Sequence, residues 1–264
     1  MKDKCSILVC SCDAYSEAWE PFFYLLRKHW PDCDYPTYLN TESKDFNKYG
    51  VRTITSNNGA WTERLHRVLE KIESEYVLIF LEDFFLQKNV NTTKFNFALE
   101  EMQKNENIAV FYFNKITGYQ CESKYEEYYL MKPKDNCLYM CNCQAALWRK
   151  DVLMEATQGI MSAWEFEDKG FFSLSPQRQN MEFYCSRTTY YDKVREEDIF
   201  SYILLRGEGY GIWKSRWLWN NDRLLVREGI PVKIKKIRKM SKINYLINKY
   251  WSILKRRLGV KEKK

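Results

Sequence analysis

The chain has 264 residues, 45% hydrophobic and 16% aromatic, enough to bury a full core near the upper size for one domain. Its formal charge of +7 is unevenly placed: residues 233–264 carry thirteen Lys/Arg against Glu262 alone, whereas 1–232 carry 29 bases against 34 acids. A nucleic-acid binder usually carries its basic patch on the folded body, so the balance argues against one and divides the chain into a body, 1–232, and a basic extension, 233–264.

Residues 6–10 (SILVC) form an apolar, β-prone run that predicts a buried strand opening a parallel sheet, ending at Ser11, Cys12 and Asp13. Trp19, Phe22, Phe23, Leu26 and Trp30 then recur at helical period, with Pro21 in the first turn and Pro31 as the stop. Residues 35–40 and 51–55 predict two more strands. After the turn Asn57-Asn58-Gly59, Trp61, Leu65, Val68, Leu69 and Ile72 mark the inner face of a second helix. Residues 76–81 (YVLIFL) are the most strand-like in the chain and run directly into Glu82 and Asp83. Strand, helix, strand, strand, helix, strand is an α/β order, whose default is a parallel sheet covered by helices.

Beyond it, residues 108–114 predict a strand, and the Tyr-rich stretch 119–134 a loop or edge hairpin. Residues 145–154 read as a strand end followed by a helix, and another helix starts near 164–167. Residues 183–190 and 202–205 fit either strands or a helix pair. In the extension, Ile237, Met240, Ile243, Ile247, Tyr250, Leu254 and Leu258 step by threes and fours along one face of a helix over 233–258, with Lys and Arg elsewhere and Trp251 near the apolar face. A basic amphipathic helix of this kind predicts attachment to an anionic membrane surface; a solvated tail or a partner-binding helix is the alternative.

Ligands of open α/β sheets bind beyond the carboxyl ends of the strands, where this chain places Asp13 and the pair Glu82-Asp83. Carboxylates there can accept from a nucleobase N–H or ribose hydroxyls, or hold Mg²⁺ or Mn²⁺ against a diphosphate; Asp13 alone would equally serve as a helix cap. No GxGxxG, GxxxxGK[ST] or GxSxG occurs, and the only histidines, His29 and His66, fall within predicted helices, which argues against dinucleotide oxidoreductases, P-loop NTPases and His-based hydrolases. Carboxylates remain as acid–base groups. Glu165, between Trp164 and Phe166, is one candidate base, its pKa expected to be raised by apolar neighbours; the cluster Arg195-Glu196-Glu197-Asp198 is the rival, which a solvated charged face would also explain. Cys137, Cys141 and Cys143 lack a partnering CxxC and fit a zinc site poorly. Nine cysteines with no secretory h-region ahead of them predict reduced thiols in the cytoplasm.

The blocks SCDAYSEAWEPFFYLLRKHWPDC with YLNTE, WTERLHRVLEKIESEYVLIFLEDFFL, and QAALWRKDVLMEA followed by SAWEFE resemble bacterial GT-A-type glycosyltransferases associated with capsule, lipopolysaccharide and other surface glycans, over residues 5–167. The resemblance implies a GT-A-like, Rossmann-type, mainly parallel sheet flanked by helices, and a nucleotide-diphospho-sugar donor, UDP-linked, held by the N-terminal half. Asp13, with Cys12 beside it, would sit near the base. Trp61 and Arg64 would lie beside the nucleotide or diphosphate, and Asp83, next to Glu82, would take the place of the DXD-type acid and hold the metal. The segment 144–167, with Gln144, Trp148, Trp164 and Glu167, would bind a glycan or lipid-linked acceptor, and Glu165 would be the base of an inverting transfer. Phe84 stands where a complete metal motif has another acid, which leaves Mn²⁺ or Mg²⁺ dependence open, with Arg64 as a substitute cation. Alternatives on the same scaffold are a nucleotidyl- or phospho-transferase and a non-catalytic, membrane-surface glycan-binding protein. The expected location is cytoplasmic, at the inner face of the membrane.

Overall fold

In the computed structural model, which describes residues 4–116, 118–133, 137–187, 198–202, 211–213, 215–231 and 234–257, the first apolar run is β1 (Cys5–Cys10), buried at every position. Chain order continues with α1 (Trp19–His29), β2 (Thr37–Thr41), β3 (Arg52–Thr55), α2 (Trp61–Leu69), β4 (Tyr76–Leu81), α3 (Thr92–Lys104) and β5 (Ile108–Tyr112). Next come β6 (Cys121–Ser123), β7 (Tyr128–Met131), β8 (Ala146–Arg149), α4 (Lys150–Ala156), α5 (Ala163–Lys169), α6 (Pro176–Gln179) and β9 (Glu182–Ser186). The last described elements are β10 (Ile212–Trp213), β11 (Arg216–Leu218), α7 (Asn221–Arg227), β12 (Lys239–Met240) and α8 (Lys242–Arg257).

Strands β1 to β9 form one sheet in the order β3-β2-β1-β4-β8-β5-β9-β7-β6. The first four are parallel neighbours; β8 and β7 run against the rest. From β1 the chain winds outward through β2 and β3, then returns to place β4 on the other side of β1. The strand order therefore reverses between β1 and β4, where doubly wound sheets bind ligands.

Alternation along the strands divides the core. Ile7 and Val9 of β1 and Leu78 and Phe80 of β4 face the α1 and α3 side, with Phe22, Phe95 and Leu99. Leu8, Cys10, Val77 and Ile79 face the α2, α4 and α5 side, with Leu65, Val152 and Phe166. Burial on both faces is why these strands read as continuous apolar runs. The fold is thus the expected mixed α/β class, a mainly parallel Rossmann-type sheet flanked by helices.

Three features depart from or add to the sequence expectation. Helix α3 lies where no element was anticipated; Asn91 caps it by accepting from Lys94 N at 3.1 Å, and Phe95, Ala98, Leu99 and Met102 form its buried stripe. The C-terminal helix begins at Lys242 rather than 233. Ile237 and Met240, expected on its exposed stripe, are buried instead: Met240 because β12 pairs with β11 (Trp217↔Lys239, Leu218↔Met240), and Ile237 within the main core, its backbone N–H donating to Glu17. Residues 183–190 resolve as β9 through Ser186, while 188–190 and 203–205 lie outside the described residues. Among the described residues, no helix is long and apolar enough to cross a membrane.

Candidate active site

The parallel register Cys10↔Leu81 brings the segments after β1 and β4 side by side. Asp13 opens a 3-10 turn (Asp13–Ala18), and its carboxylate clamps the chain leaving β2. It accepts from the backbone N–H groups of Glu42, Ser43 and Lys44 at 3.1, 3.2 and 3.2 Å and from the Ser43 hydroxyl at 2.6 Å. Glu42 reciprocates through Oε2, accepting from Asp13 N at 2.9 Å. Burial alone would raise the pKa of Asp13, but these donors outweigh it and hold the group below the ordinary carboxylate value.

Glu82 is buried, and burial, with the neighbouring charge of Asp83, pushes its pKa well above the usual range; Ser11 and Arg64 oppose that rise. Asp83 is raised to about 6, again chiefly by burial, with its hydrogen bond from the backbone N–H of Ile212 acting the other way. That bond, at 2.8 Å, brings β10 against the strand end. Gly211 makes the approach possible: a Cβ there would lie 2.1 Å from the Asp83 Cβ and 2.5 Å from its carbonyl oxygen. Tyr15, in the turn after β1, also donates to Ser215 Oγ at 3.0 Å, so the small β10–β11–β12 sheet touches both acidic strand ends.

Arg64 is buried and works as a brace. It donates to Ser11 O, to Ser56 Oγ at 3.2 Å, and faces Glu42 Oε1 at 3.7 Å. Its charge is already matched within the protein, which does not favour it as the free cation for a leaving group. Cys12 is half-buried between the two strand ends, and burial raises its thiol pKa.

On the other flank, Thr62 Oγ1 donates to Gly159 O at 2.7 Å and accepts from Met161 N at 2.9 Å, which seats the entry of α5 on the start of α2. Trp61 packs on Phe166 with ring centroids 5.1 Å apart, and Trp164 points into solvent. Glu165 closes a capping box: Oε2 accepts from Ser162 N at 3.0 Å and from Ser162 Oγ at 2.9 Å, with Lys169 Nζ 3.5 Å from Oε1. Glu167 faces inward. Its Oε1 accepts from Cys143 N at 3.1 Å, and burial pushes its pKa up to about 7 against that hydrogen bond, with Asp168 adding to the rise.

Gln144 lies at the entry to β8, its Oε1 accepting from the Tyr202 hydroxyl at 3.3 Å; Tyr202 stacks on Phe84 at 4.4 Å. Continuing the antiparallel register Ile79↔Ala146 sets Gln144 level with Leu81 at the carboxyl end of β4 and Cys143 level with Glu82. Trp148 corrects the sequence reading. It is in the middle of β8, fully buried against Tyr112 and Phe183, and offers no surface to an acceptor. Asp198 is buried, while Glu196 and Glu197 lie outside the described residues.

The structure therefore brings Asp13, Cys12, Glu82, Asp83, Arg64 and Gln144 to one end of the sheet, with Trp61 and Glu167 at its flank. Glu165 and Trp164 lie on the same helix as Glu167 but are turned outward. A separate open hollow of about 410 Å³, lined by residues such as His29, Asp32 and Asn91, shares none of these groups. Among the described residues, no three His, Cys, Asp or Glu side chains converge on a metal position.

No protein-family model and no curated protein matches the chain. Among solved structures it is similar to a cytidylyltransferase from Leptospira borgpetersenii serovar Hardjo-bovis, with 11% identity, 99% of this chain on 98% of that one, and a TM-score of 0.49. It is also similar to residues 1–349 of TarS from S. aureus, at 16% identity, 70% of this chain on 59% of that one, TM-score 0.46. The bifunctional IspDF from Campylobacter jejuni aligns at 12% identity, 76% of this chain on 52% of that one, TM-score 0.40. The chain thus spans between half and three fifths of the length of these last two.

Proposed function

We propose that the chain transfers a sugar from a nucleotide-diphospho-sugar donor, a UDP-sugar, to a glycan or lipid-linked acceptor of a surface polysaccharide, with inversion and on the cytoplasmic side. The observation that carries this reading is that Asp13, Glu82 and Asp83 follow the carboxyl ends of the adjacent parallel strands β1 and β4, at the reversal of strand order. Glu82, held well above the usual range by burial and the Asp83 charge, is poised to lose its proton to a site that gains positive charge or hydrogen-bond donors, while Asp83, near 6, is largely ionised at neutral pH. A ribose or a nucleobase N–H supplies donors; a divalent ion held by Asp83 would supply the charge that stabilises a departing diphosphate.

The transfer needs one base. The acceptor oxygen bonds to the anomeric carbon, the bond from that carbon to the diphosphate breaks, and the hydroxyl proton passes to a carboxylate. We assign that role within α5. Glu165 was the expectation from its aromatic neighbours, but its oxygens serve the helix start. Glu167, with a pKa near 7, is better matched to accepting a proton at neutral pH, and it faces the strand ends through Cys143. Trp164, exposed on the same helix, can offer a face to a sugar ring of the acceptor.

A thermal-shift screen of the full chain against UDP-, GDP-, CMP- and dTDP-sugars, with and without Mn²⁺, tests the donor assignment. Stabilisation by a UDP-sugar is the expected result; stabilisation by none of them removes the donor site from this reading.

A further inference from the structure

Helix α8 is mounted with its apolar side outward. Among its described side chains Tyr245 is buried inward, only 8% exposed, its ring 5.0 Å from that of Trp213 and 5.3 Å from that of Trp219. Together with Leu218 and Met240 these form a small separate core. The chain entering the helix is fixed as well: the backbone N–H groups of Lys235, Lys236 and Ile237 donate to the carboxylate of Glu17 at 2.7, 2.7 and 2.8 Å. The outer side of α8 presents Ile243, Ile247, Tyr250 and Trp251, exposed by 70, 61, 65 and 58%. Steps of three and four residues place these four on one stripe. A helix that only packed on its own body would turn that stripe inward.

Charge identifies what the stripe meets. The segment 242–257 contains Lys242, Lys249, Lys255, Arg256 and Arg257 and no acid, whereas residues 1–232 carry more acids than bases. An apolar protein groove would account for the stripe and leave the charge without a role. An anionic phospholipid surface accounts for both, because aromatic rings settle at the headgroup level while cations face lipid phosphates. The acidic body, repelled by the same surface, would be held away from it, so the docking also has a direction.

We infer that α8 seats the protein flat on an anionic bilayer surface, with Ile243, Ile247, Tyr250 and Trp251 at the boundary of the acyl chains. The inference does not depend on the reaction proposed above. It is tested by sedimenting the full chain with vesicles of phosphatidylcholine alone or with about 30 mol% phosphatidylglycerol at about 0.1 M salt. Binding is expected to be at least ~10-fold tighter to the anionic vesicles and to weaken at ~0.5 M salt. The double variant Ile247→Asp/Tyr250→Asp, whose substitutions lie in solvent, should keep its melting temperature and lose roughly tenfold or more in binding, and Ile243→Asp should move the same way. Absence of binding to either vesicle would overturn the inference, as would undiminished binding by both variants. A concentration-dependent dimer that the double variant abolishes would also overturn it, since a second copy would then cover the stripe.

Discussion

Glu165 and Glu167 sit two residues apart on α5 yet serve opposite sides: Glu165 accepts from Ser162 at the start of its own helix, and Glu167 accepts from Cys143 at the entry to β8. Two residues advance a helix by about 200°, so one carboxylate must face out when the other faces in. Substitution should separate the two roles. Glu167→Gln is expected to lower kcat by roughly 10²–10⁴. Glu165→Gln should cost at most about 1 kcal/mol of stability through a weakened cap and leave most turnover intact. Steady-state kinetics and chemical denaturation of both variants check this, and the reverse pattern would return the base to Glu165.

The same carboxylate gives a pH dependence of stability. Its folded pKa is raised from 4.5 to about 7, so between those values the folded chain holds a proton that the unfolded chain has released. Its contribution is therefore fully present at low pH and is lost as pH rises through about 7. At pH 8, Glu167→Gln should be more stable relative to wild type than it is at pH 5, by on the order of 1–2 kcal/mol. Denaturation midpoints of the two proteins across that range measure the difference; parallel curves would contradict the burial of Glu167.

Gly211 supplies a steric test of the Asp83 site. In Gly211→Ala the new methyl would stand 2.1 Å from the Asp83 Cβ and 2.5 Å from its carbonyl oxygen, atoms that cannot swing aside as a flexible side-chain end could. The β10 segment must then withdraw, breaking the Ile212–Asp83 hydrogen bond. Destabilisation of about 1–3 kcal/mol is expected, with donor binding weakened as well. A variant as stable as the parent would mean that β10 does not rest on Asp83.

Much of this arrangement is legible in the residues. The continuous apolar runs of β1 and β4 and the acids that end them are local features, and the α/β order follows from their alternation with helical periods. What resists reading depends on contacts between distant segments. Trp148 looks like a sugar platform until β8 is paired between β4 and β5, which buries it. Arg64 looks like a free cation until Ser11, Ser56 and Glu42 gather around it. Ile237 and Met240 continue the helical stripe of the tail, yet Met240 is taken inward by the pairing of β11 and β12 and Ile237 joins the main core. Helix α3 is a different case, since the Asn91 cap and the stripe Phe95, Ala98, Leu99, Met102 were readable signals. In local sequence only the capping box beginning at Ser162 sets Glu165 apart, marking it as engaged by its own helix start; nothing there marks Glu167 as the inward carboxylate.

The most direct test of the central claim is the identity of the phosphate product formed by the full chain, and by Asp83→Asn, from a UDP-sugar and an acceptor glycan, and in a parallel reaction from a nucleoside triphosphate and a sugar phosphate, followed by ³¹P NMR. The asparagine keeps an oxygen that can accept from Ile212 N, so the fold should survive the change. Release of UDP by the wild type, reduced roughly 10²-fold or more in Asp83→Asn, is the expected result. Release of pyrophosphate from a nucleoside triphosphate in place of UDP, or undiminished turnover by Asp83→Asn, would contradict a glycosyl transfer centred on the acids at the ends of β1 and β4.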